Sequence, residues 1–126
     1  MYFWSVIGSM HPSLLLNNGD FAAALNGYSK EFLRDTVNGF NNICFMLSEC
    51  GKTSNKNKLL KIFKNFQQLN INFLNFLESA YNGSARVYTS TSPQRFSDSF
   101  YKGARHMIAE HKLVCELNEG IAKILN

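Results

Sequence analysis

The stretch LLKIFKNFQQLNINFLNFLESA, residues 59–80, decides the fold class. Leu59, Phe63, Phe66, Asn70, Phe73, Leu77 and Ala80 recur at steps of three and four, the period of an α-helix and not the alternation of a strand. Ile62, Leu69 and Phe76 form a second apolar row beside the first. Two adjacent rows make a face wide enough to meet two neighbouring helices. Asn82-Gly83 ends or bends this helix, and Val87 and Tyr88 suggest a brief return to helix after it.

Upstream, Asn17-Asn18-Gly19-Asp20 reads as a turn with Asp20 as an N-cap. A long amphipathic pattern follows, through Phe21, Leu25, Tyr28 and Phe32 and then Leu33, Val37, Phe40, Cys44 and Leu47. Gly27 and Gly39 fall inside it, each costing about 1 kcal/mol relative to Ala, and their bare backbone suits close helix approach. Gly51 ends the pattern, and residues 52–57 are a polar connection.

Downstream, Thr89-Ser90-Thr91-Ser92-Pro93 is a boundary, with Ser92 as cap and Pro93 in the first helical position, where its missing N–H costs nothing. Phe100, Ala104, Met107, His111, Val114, Asn118, Ile121 and Leu125 then form a heptad-like seam. Its polar members, His111 and Asn118, are of the kind that fix register or oligomeric state at some cost in stability. The seam of Met107, His111, Val114, Asn118 and Ile121 is read as a self-association surface, which makes the chain a homo-oligomer.

The chain is therefore read as all-α, an antiparallel bundle or hairpin of three main amphipathic helices. Residues 20–126 form a single helical domain, and residues 1–19 an apolar N-terminal segment broken at His11-Pro12. At 126 residues one domain is the prior, and 45% hydrophobic against 17% charged is too apolar for disorder. Residues 1–19 hold no Asp, Glu, Lys or Arg. They lack the basic start and long apolar core of an export signal and are too short to span a membrane. Two readings of them stand: packing onto the body of the protein, or an interfacial anchor with Tyr2 and Trp4 at a lipid or polymer surface.

The net charge of +4 falls short of a dedicated nucleic-acid binder. Lys52, Lys56, Lys58, Lys61 and Lys64 cluster around the start of the second helix, interrupted by Asn55 and Asn57, and read as a solvated face. Three cysteines without a spacing pattern point to reduced thiols and a cytoplasmic location. Cys44 and Cys50, six apart, lie on different sides of one helix.

No motif carries catalysis or a cofactor. Gly51-Lys52-Thr53 resembles the end of a phosphate loop, but Met46 stands where that loop needs glycine. His106 and His111 are five apart where a helical zinc pair needs four, and Leu113 stands where Glu110 would need a histidine partner. Cys115 follows His111 by one turn, so a thiol–imidazole pair is within reach, with nothing beside it to form an oxyanion site. Glu116 and Glu119 read as solvated. Neither an enzyme nor a resident metal is expected.

The stretch from Phe66 to Ile124 resembles the phasins, proteins that coat polyester storage granules. The residues that carry the likeness are Asn65-Phe66-Gln67-Gln68-Leu69-Asn70-Ile71-Asn72-Phe73-Leu74, the break at Thr91-Ser92-Pro93-Gln94-Arg95-Phe96, and Ile108-Ala109-Glu110-His111 leading to Glu116-Leu117-Asn118-Glu119. It departs from the family in being rich in Phe and Asn instead of Ala and Gln. The resemblance implies granule-surface binding, frequent homo-oligomers and no catalytic residues. On it, and on the width of the apolar face, Phe63, Phe66, Phe73, Phe76 and Leu77 are expected to meet a hydrophobic polymer or protein surface. The alternative is a helical protein–protein interaction module: an adaptor, effector or structural subunit.

Overall fold

The computed structural model describes residues 1–50, 55–89 and 95–125. The described residues form five helices: α1 Tyr2–Asn17, α2 Gly19–Ala24, α3 Gly27–Cys50, α4 Lys56–Tyr81 and α5 Asp98–Leu125. The four long ones make an up-down-up-down bundle. Phe32 stacks on Phe76 and Phe40 meets Phe66, so α3 and α4 run antiparallel. Tyr81 meets Tyr101 and Phe73 meets His111, which sets α5 antiparallel to α4. The fourth position is filled by α1, packed closely on α3 and reaching α5 through side chains.

The all-α expectation holds, with four long helices where three were anticipated. The N-terminal segment is itself α1, and it packs onto the body. Pro12 lies inside the helix and is buried. It has no N–H for the Gly8 carbonyl, and the helix continues because tertiary packing holds the turn on both sides. Small residues make that packing close: Ser5, Gly8 and Pro12 are buried, and a Cβ at Gly8 would stand 2.7 Å from the Phe40 ring.

The long helix expected from Asp20 is two helices. Asn18, not Asp20, caps α2, its side chain accepting from the Phe21 N–H at 3.1 Å. The chain then extends at Leu25, which pairs with Tyr88 as an isolated antiparallel bridge. Asn26 restarts the helix by accepting from the Ser29 N–H at 2.8 Å, so Gly27 opens α3 and does not lie in a helix interior. Asn82-Gly83 does end α4, with Gly83 at φ +73°. Val87 and Tyr88 are not helical; the Val87 carbonyl accepts from the Asn26 N–H, and the Thr89 N–H donates to the Ala24 carbonyl on the other side of Tyr88.

Ser92 and Pro93, like Gly51, Lys52 and Thr53, lie outside the described residues. The described start of α5 is Asp98, where the Ser97 hydroxyl accepts from the Phe100 N–H at 3.1 Å. At the other connection Asn55 caps α4 by accepting from the Lys58 N–H.

Two apolar clusters fill the bundle. One gathers Leu15, Phe21, Leu25, Leu33, Phe73, Leu77 and Tyr88. The other gathers Phe40, Ile43, Cys50, Ile62, Phe66 and Val114. Between them in register lie Asn70, flanked along α4 by Phe66 and Phe73, and His111, flanked along α5 by Met107 and Val114.

Candidate functional site

The rows anticipated as binding surfaces are the interior of the folded chain. Phe63, Phe66, Phe73 and Leu77 are buried, and Phe76 is half-buried against Phe32. Their wide face meets the other helices of the bundle. The seam on α5 is likewise taken up within the chain: His111, Val114 and Asn118 are buried and Met107 packs on the core, while Ile121 at its end is exposed. Both placements share a cause. Periodicity identifies an apolar face without saying whether the same chain or another molecule covers it, and α1 supplies the cover that three helices would lack.

The densest polar chemistry lies where α1, α4 and α5 meet. Asn70 donates through Nδ2 to the His111 carbonyl at 3.1 Å and to the Cys115 sulfur at 3.2 Å. Its Oδ1 is thereby aimed at His111 Nδ1, 2.7 Å away. A carbonyl oxygen only accepts, so Nδ1 carries the proton and, in the neutral ring, Nε2 is bare. That bare nitrogen accepts from His11 Nδ1–H at 2.8 Å. His11 Nε2 faces Glu110 Oε2 at 3.5 Å, and the other Glu110 oxygen meets exposed His106 at 2.5 Å. One carboxylate thus lies between two imidazoles, and a file of polar groups runs from the surface to the centre of the core.

Burial lowers the pKa of His111 to about 3, and neighbouring His11 pushes the same way. Burial lowers that of His11 too, opposed by the Glu110 carboxylate and assisted by His106. Both ring nitrogens of His111 are engaged by Asn70 and His11, so the thiol–imidazole pair with Cys115 does not form. Burial instead raises the Cys115 thiol, against the hydrogen bond from Asn70. Among the described residues no group of three His, Cys, Asp or Glu side chains is placed to hold a metal ion.

The other feature is on the outside. Along α1, Tyr2, Phe3, Val6, Met10 and Leu14 are exposed, Phe3 to 64%, in a helix with no Asp, Glu, Lys or Arg. Beside the same helix a cleft of about 390 Å³ opens between Leu14 and Leu15 on one side and Phe100, Gly103, Ala104 and Met107 on the other. A second exposed row, Leu113, Leu117, Ile121 and Ile124, runs along the C-terminal half of α5. Lys56, Lys58, Lys61 and Lys64 are exposed along α4. Among the described residues no helix is long and apolar enough to cross a membrane.

The exposed face of α1 was legible as apolar but not as helical, because Pro12 reads as a breaker. The histidine pair had no sequence signal at all, its members being 100 positions apart. Comparison with protein-family models, with curated proteins and with solved structures finds no match.

Proposed function

We propose that the protein is a non-catalytic binder of hydrophobic surfaces, acting as the phasin resemblance implies, as a coat on polyester storage granules. The observation that carries this reading is the outer face of α1. Five large apolar side chains stand exposed there on a helix with no fixed charge. Soluble proteins seldom leave a contiguous patch of that kind without a use for it. An extended apolar surface suits it because a helix face with no Asp, Glu, Lys or Arg offers little for a polar partner to pair with. Covering it gains about 25 cal/mol per Å² of apolar area. The lysines of α4 would face water and keep coated particles apart.

A second exposed surface favours a helical partner instead. The α5 row of Leu113, Leu117, Ile121 and Ile124 is one side chain wide and spaced at four, four and three. That is the footprint of a single partner helix, as in an interaction module.

Co-sedimentation with polyhydroxybutyrate particles separates the two. Protein that pellets with the particles at low micromolar concentration supports the coat. Protein that stays in the supernatant removes that reading and leaves the α5 row as the binding surface.

A further inference from the structure

The polar file between α1 and α5 is complete only for certain numbers of protons. With one proton on the histidine pair, every group has a partner. His11 donates from Nε2 to Glu110 and from Nδ1 to His111 Nε2, and His111 donates from Nδ1 to Asn70. A second proton must go to His111 Nε2. Two N–H groups then face each other across 2.8 Å with no acceptor between them, and two cationic rings lie in edge contact. His111 is 3% exposed, so water cannot relieve the conflict. The groups facing His111 are His11 from α1, Asn70 and Phe73 from α4, and Cys115 through Asn70 on its own helix. Those facing His11 are Glu110, His106 and His111, all on α5. Among the described residues that face the pair only Glu110 brings negative charge, and it is shared with His106.

The strain has one place to go. Gly8 against Phe40 binds α1 closely to α3, and Asn70 and Phe73 bind α5 to α4. Between α1 and α5 the backbones stay further apart, and the cleft beside Leu14 and Met107 already opens that seam at one end. We propose that His11 and His111 form a proton-operated latch, which holds the α1–α5 seam closed until both rings are protonated and then releases it, exposing the phenylalanine-rich interior. Resting on the surface-binding reading, this makes capture of a hydrophobic surface acid-dependent, with Phe66 and Phe73 joining the outer face of α1 on the opened bundle.

Amide hydrogen exchange of the full chain between pH 7 and pH 4, without particles, tests the latch. Uptake of two protons on opening makes protection around the two histidines fall by up to about a hundredfold per pH unit below about 6.5, and uptake of one by about tenfold. In His11→Gln the glutamine turns its amide to give or accept, so the slope drops to at most about tenfold and opening moves to lower pH. In Glu110→Ala the charge that supports a protonated His11 is gone and no amide replaces it, so opening moves to higher pH. Opposite shifts cannot come from a general loss of stability. Protection that is flat down to pH 4, or opening that moves the same way in both variants, overturns the latch. Particle sedimentation over the same range is read separately: opening without capture leaves the latch standing and removes the surface-binding reading.

Discussion

His11 on α1 and His111 on α5 share a hydrogen bond of 2.8 Å across 100 positions of sequence, one ring half-buried and the other enclosed. This contact makes folding sensitive to acid. Burial holds the His111 pKa at about 3 in the folded chain, against about 6.5 when unfolded. The unfolded state therefore binds more protons between those values. The stabilising contribution is complete above about pH 6.5 and is lost as pH falls towards 3, at up to about 1.4 kcal/mol per pH unit for this one group. Urea titrations at pH 7.5, 6 and 5 should show midpoints falling in that order, and a midpoint independent of pH would contradict the buried neutral imidazole.

Asn70 is the member of the network whose loss should cost most per atom. Replacing it by Leu strands His111 Nδ1–H in the core, where Asn70 Oδ1 accepts from it, and an unsatisfied buried group costs about 1–3 kcal/mol. Changing His111 to Phe in the same chain removes the stranded ring, so the double variant should be more stable than the sum of the two single changes. Thermal or chemical denaturation of the four proteins in the cycle measures the coupling, and simple additivity would show that Asn70 and His111 do not act as a pair.

Three glycines separate packing from propensity. At Gly8 an added methyl meets the enclosed Phe40 ring at 2.7 Å, and overpacking of this kind costs about 1–3 kcal/mol, more than the roughly 1 kcal/mol that alanine gains in a helix. At Gly39 the nearest atoms, at 2.8 and 3.1 Å, are the end of the Leu69 side chain, which can turn away. At Gly120 there is open space. Ala should therefore lower the melting temperature at position 8, change it little at 39 and raise it at 120. A melting temperature that rises at position 8 as it does at 120 would mean that α1 is not seated on α3 as described.

The helix periods were legible because each long helix buries one face, as Phe63, Phe66, Asn70, Phe73 and Leu77 do on α4. What sequence misplaced were the boundaries that tertiary contacts decide. Leu25 continues the apolar spacing of its neighbours, yet its pairing with Tyr88 breaks the helix there. Pro12 carries a local penalty that would stop an isolated helix, and packing on α3 overrides it. Asn70 and His111 stand out in their rows only as polar residues among apolar ones, with nothing to say what they pair with. Their roles exist only once α1 brings His11 alongside, which no pattern within a window of sequence can report.

The outside of α1 and the inside of the bundle should answer differently to polar substitution. Phe3 and Met10 are exposed, whereas Phe66 and Phe73 are enclosed to within 2%. Phe3→Asp with Met10→Asp puts two charges on the outer face and loses only the edge contact of Phe3 with Trp4, so circular dichroism and melting should stay near wild type while pelleting with polyhydroxybutyrate particles at pH 7 falls at least tenfold. Phe66→Ser with Phe73→Ser removes two core rings, at about 3–5 kcal/mol each on the scale of large-to-small core changes. That sum is of the order of a small domain's whole stability, so this variant should lose its helical signal. If the outer pair leaves binding intact, α1 does not meet the surface. If the inner pair leaves the helices folded and only binding fails, the bundle is looser than its enclosed rings require, and the α4 row itself is the binding face.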